Sequence, residues 1–145
     1  MIRPISPDEY PISAEIFLSA RKTAMPWLKS PHSDDDVRGW FRDHYPHRYR
    51  TFVAEVDGET VGFAGVSEGW LDHLYLLPTH WRQGLGQQLF ERVTEEEPSG
   101  FVFWVFQKNE RARRFYESLG CKLIEETDGQ GNMELEPDCR YEWRP

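Results

Sequence analysis

The punctuation between residues 51 and 77 restricts the fold of this chain most. Thr51–Val56 reads as a strand, Asp57-Gly58 as a two-residue turn, and Thr60–Val66 as a returning strand. Ser67-Glu68-Gly69 turns the chain again, and Trp70–Leu77 forms a third apolar run that ends at Pro78. Asp-Gly supplies the positive φ angles that tight hairpins demand, so adjacent runs must be antiparallel. A three-stranded meander is therefore predicted. From Gly84 onward the apolar period becomes helical, with Leu85, Leu89, Phe90 and Val93 on one stripe.

The flanks complete a mixed pattern. Arg3–Ser6 is a candidate first strand. Ser6-Pro7-Asp8-Glu9 has the composition of a helix start, although Pro11 follows closely, and a helix is predicted through Glu15–Ala20. Met25–Pro31 breaks it. Ser33-Asp34-Asp35-Asp36 opens a second helix, Val37–His44. Phe101–Phe106 is an unbroken apolar run, predicted as a central strand buried on both faces. Asn109–Leu119 is predicted as a helix closed by Gly120, and Lys122–Glu125 and Arg140–Trp143 as paired closing strands. The expected fold class is α/β (α+β): one domain over residues 1–145, with a mixed, mostly antiparallel sheet flanked by four helices.

Composition excludes several functions. A net charge of −8 argues against a binder of phosphate backbones, which needs basic surface, so no nucleic-acid partner is expected. The acidic balance suits a cationic substrate. Cys121 and Cys139 form neither a metal motif nor a disulfide framework, and read as free thiols of a reducing compartment. No metal is expected. No apolar run is long enough to span a bilayer and the N-terminus lacks a signal-peptide core, so the expected location is cytoplasmic, without a membrane partner.

Two segments carry chemistry. In the first, Leu74-Tyr75-Leu76-Leu77-Pro78 runs through Thr79-His80-Trp81-Arg82-Gln83 into Gly84-Leu85-Gly86-Gln87 and a helix. Glycines in a first helical turn let a ligand approach the backbone, and open amides at the positive end of the helix dipole suit a pyrophosphate. Arg82 adds a cation. Leu89 stands where a dinucleotide fingerprint needs its third glycine, and no Gly-Lys-Ser/Thr is present. The second segment, Asn109-Glu110-Arg111-Ala112-Arg113-Arg114-Phe115-Tyr116-Glu117-Ser118-Leu119-Gly120, places Asn109, Ala112 and Tyr116 about one turn apart on one side of a helix.

Together these segments resemble the GCN5-related N-acetyltransferase (GNAT) superfamily. That family's cofactor loop follows a strand ending near Pro and closes on Gly-x-Gly or Gly-x-Ala, as Gly84-Leu85-Gly86 does. Its second signature, Asn-x-x-Ala-x-x-Phe-Tyr-x-x-x-Gly, is matched by Asn109, Ala112, Phe115, Tyr116 and Gly120. The resemblance implies a GNAT-type acyl-CoA N-acyltransferase fold and an enzyme moving the acetyl group of acetyl-CoA to an amine in a ternary complex. It implies that backbone groups of Leu74 and Leu76 meet the pantetheine arm, with Tyr75 between them counted among the cofactor-binding residues. Arg82 and the amides of Gln83, Gly84, Leu85, Gly86 and Gln87 would hold the pyrophosphate. Asn109, Ala112 and Tyr116 would lie at the reactive end, with Tyr116 protonating the departing thiolate. The chain departs from the family in one position, where Trp81 replaces a frequent Gln or Arg.

The general base is not set by the motifs. The family's fifth-strand Glu is replaced by Trp104. Asp72 and His73 are the candidates. Strand alternation puts Asp72 on the side of Leu74 and Leu76, and His73 on the other. Trp27, Trp70 and Asp72 are candidate acceptor-binding residues, with Met25, Trp40, Phe41 and Tyr141 as further pocket walls. The alternative reading is a catalytically idle acyl-CoA sensor of the same fold. An exposed closing strand is a candidate homodimer surface.

Overall fold

The computed structural model describes all 145 residues. One seven-stranded sheet runs through it. Its strands are β1 (Ile2–Pro4), β2 (Arg50–Val56), β3 (Glu59–Ser67), β4 (Trp70–Leu76), β5 (Phe101–Phe106), β6 (Lys122–Glu126) and β7 (Asp138–Trp143). Its helices are α1 (Tyr10–Ala24), α2 (Asp34–Asp43), α3 (Leu85–Glu96) and α4 (Glu110–Ser118). The strand order is β1-β2-β3-β4-β5-β7-β6. All neighbours are antiparallel except β4 and β5, which are parallel and meet at the single register pair Trp70↔Val102. The predicted meander is present, and β7 inserts between β5 and the edge strand β6.

Each face of the sheet has its own core. α3 and α4 cover one face, where Leu89, Phe90, Val93 and Tyr116 pack on Ala64, Val66, Phe101 and Phe103. α1 and α2 cover the other face over the meander, where Ala14, Ile16, Phe41 and Tyr45 pack on Val53 and Phe63. β3 is therefore buried on both sides from Val61 to Val66. β5 is not. Phe101, Phe103 and Val105 are buried, but Trp104 on the opposite face is 46% exposed, because neither α1 nor α2 spreads over it. The expectation of a doubly buried β5 is corrected.

Local signals explain the helix boundaries. Pro7–Glu9 forms a 3-10 turn, and Pro11 falls in the first turn of α1, where no amide donor is required. Glu9 at this junction is 5% exposed. It accepts from Arg3 Nη1 at 2.8 Å and Nη2 at 3.0 Å, from the Ser6 amide at 2.8 Å and from the Thr60 hydroxyl. Those bonds, led by Arg3, hold its carboxyl down to about 2 despite burial. Ser33 caps α2 and Asn109 caps α4, each accepting from the amide three residues on. Cys121 and Cys139 are buried and free. No helix is long and apolar enough to cross a membrane.

Candidate functional site

β4 and β5 separate beyond their one shared register pair. Between Val66↔Leu71 and Gly65↔His73 the ladder slips by one residue, making Asp72 the extra residue of a β-bulge. Beyond it the Leu77 amide bonds to the Val61 carbonyl, so His73, Tyr75 and Leu77 aim their backbone groups at β3. Leu74 and Leu76 aim theirs into the gap that β5 does not fill. Leu76 O accepts from Trp81 Nε1 at 2.9 Å. Tyr75, counted among the cofactor-binding residues, has its backbone committed to β3 and its side chain on the α1 face, against Phe17.

The loop after β4 ends in a cradle of donors. The amides of Gln83, Gly84, Leu85, Gly86 and Gln87 have no acceptor in the protein, the first bond of α3 being Gln88 N to Gly84 O. Unlike α2 and α4, α3 has no side-chain cap. Gly84 adopts φ +81°, and a Cβ there would meet nothing within 4 Å. Gly86 differs: a Cβ would lie 3.3 Å from Phe115 and 3.4 Å from Leu76. One glycine opens the loop to solvent, while the other lets α3 pack against α4. Unpaired donors beside Arg82, at the positive end of a helix, are of the kind that suit an anion.

Tyr116 lies on the α3/α4 side of the same gap. It is 8% exposed, packs against Phe103 at 4.4 Å between ring centroids, and its hydroxyl makes no hydrogen bond within the protein. Burial raises its pKa well above that of a free phenol, with smaller contributions from Tyr75 and Cys121. Tyr75 belongs to the opposite face of the sheet. Asn109 spends its side-chain oxygen on the Ala112 amide at 3.2 Å.

On the α1/α2 face lies a cavity of about 830 Å³, lined by Phe17, Arg21, Met25, Asp34, Trp40, Tyr49, Asp72, His73, Tyr75 and Glu134 among others. The bulge overturns the expected alternation, because Asp72 and His73 both face this cavity. Asp72 is open to it yet crowded by surrounding protein, which raises its carboxyl pKa against the pull of its 2.5 Å bond from Ser67. No cation pairs with Asp72, whereas Asp34 pairs with Lys22 and Glu134 with Arg21. His73 is ringed by aromatic side chains, its Nδ1 is buried without a partner, and burial lowers its pKa to about 3. A neutral imidazole held so low is a poor proton acceptor, whereas the Asp72 carboxylate is open to the cavity.

Other expected pocket residues fall elsewhere. Trp27 packs edge-on against Phe106 under Lys108, beside the end of β5. Trp70 sits at the β4–β5 junction, away from the cavity wall. Tyr141 is core, bonded to Arg113 and Glu117, and Phe41 is buried behind Trp40. The sequence reading missed Arg21, Tyr49 and Glu134, which reach the cavity from α1, the segment before β2 and the β6–β7 loop. No local motif marks them.

Comparison with known proteins finds a matching family and similar folds. A model described as the Acetyltransferase (GNAT) family matches residues 14–121. The peptidyl-lysine N-acetyltransferase YiaC of Escherichia coli (strain K12) is 29% identical over 126 residues, covering 86% of this chain and 85% of that protein. Among solved structures, apo-form YjaB from Escherichia coli superposes with a TM-score of 0.82 at 22% identity, over 99% of this chain and 96% of that one. The structure of yncA from Salmonella typhimurium with its cofactor acetyl-CoA gives a TM-score of 0.74 at 18% identity, over 99% and 92%.

Proposed function

The chain belongs to the acetyltransferase (GNAT) family, and on that premise we propose that it transfers the acetyl group of acetyl-CoA to the side-chain amine of a lysine in a polypeptide. One observation carries this reading. Five unbonded amides, Gln83 to Gln87, open beside strands that part after Trp70, with an acid-bearing cavity across the same gap. The peptidyl-lysine acceptor draws on the named relative YiaC and on an unpaired carboxylate, Asp72, set beside the rings of Trp40 and Tyr49, a combination that attracts an ammonium group.

The residues fit a phosphate-bearing thioester. The loop amides and Arg82 hold phosphate oxygens, and the free backbone groups of Leu74 offer β-type pairing to an extended amide arm. When bound, acetyl-CoA supplies an acetyl group activated as a thioester. Asp72 accepts the proton that the acceptor ammonium must shed before its nitrogen can attack the carbonyl carbon. As the carbon–sulfur bond breaks, Tyr116 donates a hydrogen bond to the departing sulfur. Its raised pKa keeps the phenol protonated and donating; the proton that the sulfur takes up is balanced by the second proton of the attacking nitrogen, released as the amide forms, so Tyr116 ends the step as a phenol.

The test is to mix the protein with acetyl-CoA and a lysine-containing peptide, and to follow free thiol release and acetylation of the peptide by mass spectrometry. Transfer should require both partners. Asp72→Asn should slow it about a hundredfold at neutral pH while leaving acetyl-CoA affinity unchanged. Binding of acetyl-CoA without transfer to any amine would refute the catalytic reading and leave an acyl-CoA sensor.

A further inference from the structure

Trp81 occupies the loop position where the family often carries a Gln or Arg, and it is not idle there. Its indole N–H donates to Leu76 O at 2.9 Å, which fixes the ring against the end of β4. Over that ring lies the guanidinium of Arg111 from the first turn of α4, with Cζ 3.6 Å from the ring centroid. Arg111 is half-buried and no carboxylate pairs with it. The charge that bears on it is repulsive, from Arg82.

This chain has 25 acidic residues against 17 basic ones, and most of its arginines are paired. Arg38 bonds to Glu15 and Asp35, Arg50 to Glu96 and Glu97, and Arg140 to Glu125. Two adjacent guanidiniums without a counter-ion are unfavourable in the empty protein. An anion between them would relieve the repulsion. A guanidinium stacked on a ring keeps its N–H groups in its own plane and free to donate sideways, in the fork geometry that suits phosphate.

We propose that Arg111, held on the face of Trp81, binds the diphosphate of acetyl-CoA together with Arg82, and so supplies from α4 the charge that the loop lacks at position 81. The proposal rests on the reading of Gln83–Gln87 as the acetyl-CoA cradle. It makes the Trp81–Arg111 pair one unit: the ring positions the guanidinium, and the guanidinium contacts the ligand.

Calorimetric titration of wild type, Arg111→Ala, Arg111→Gln and Trp81→Leu with CoA and with dephospho-CoA tests it, with urea unfolding as a check on each fold. Arg111→Ala and Arg111→Gln should each weaken both ligands about ten- to thirtyfold, the loss of a charge-assisted bond. Trp81→Leu should weaken both in the same direction, and the affinity of the Arg111 variants should fall less steeply with added salt than that of wild type. Unchanged affinity in a folded Arg111 variant would overturn the proposal. A loss seen with CoA but not with dephospho-CoA would overturn it too, by moving the contact to the 3′-phosphate. Failure of wild type to bind either ligand would instead refute the cradle itself.

Discussion

Mild acid should destabilise this protein through one side chain, His73. Its imidazole centroid lies 5.0 Å from that of Tyr49, 5.3 Å from Tyr45, 5.7 Å from Trp40 and 6.2 Å from both Phe17 and Tyr75. With Nδ1 buried and unpartnered, burial first and the nearby Arg21 second lower its pKa from 6.5 to about 3. In the unfolded chain the imidazole takes up a proton as pH falls through 6.5, while the folded protein resists until about 3. Across that window stability falls by about 1.4 kcal/mol per pH unit, or about 2 kcal/mol by pH 5. That is a large share of the roughly 5–15 kcal/mol that holds a domain folded. Asp72, whose carboxyl is raised, acts with opposite sign, gaining stability as it is protonated, and it is present in both proteins to be compared. Urea unfolding of wild type and His73→Phe between about pH 7 and 5 isolates the effect, since the variant keeps a ring among rings but cannot titrate. Wild type should lose about 2 kcal/mol relative to the variant. Parallel pH profiles, or an NMR titration of folded His73 with a midpoint near 6.5, would refute the reasoning.

Two further outcomes follow from the geometry. Glu9→Gln leaves Arg3 with one carboxylate partner instead of two, and should cost about 2–3 kcal/mol in urea unfolding at pH 7. Because the Glu9 pKa is depressed to about 2, wild type holds that advantage above the ordinary carboxyl pKa of 4.5 and loses it as pH falls toward 2. Gly84→Ala should cost only about 1 kcal/mol, since the strain is confined to a left-handed backbone. Gly86→Val should cost about 2 kcal/mol or more, because its side chain collides with Phe115 and Leu76. The same unfolding assay separates the two glycines.

The meander and the two motif helices were legible because turn residues and a change of apolar period mark them locally. Asp57-Gly58 specifies its hairpin, and Asn109 and Gly120 bracket α4, one residue before its start and two after its end. What could not be read depends on contacts between distant segments. Phe101–Phe106 looks doubly buried by composition, but the burial of its second face depends on how far α1 and α2 extend. The bulge at Asp72 has no glycine to announce it, so simple alternation put Asp72 and His73 on opposite faces when both line one cavity. Trp81 read only as a departure from the family's Gln or Arg, because its partner Arg111 lies thirty residues further on, in α4. Trp27 was assigned to the pocket from its Pro-bounded loop and Trp70 from its place on the third strand of the meander, but neither lines the cavity.

The most direct test of the central claim is single-turnover acetyl transfer to a lysine peptide by wild type and Tyr116→Phe, with acetyl-CoA affinity measured on the same samples. Removing one hydroxyl leaves the ring against Phe103 and the loop amides untouched. The account expects unchanged affinity and transfer slowed about a hundredfold, the contribution of a positioned proton donor. Equal transfer rates for the two proteins would contradict it, and would mean that the sulfur leaves without help from Tyr116.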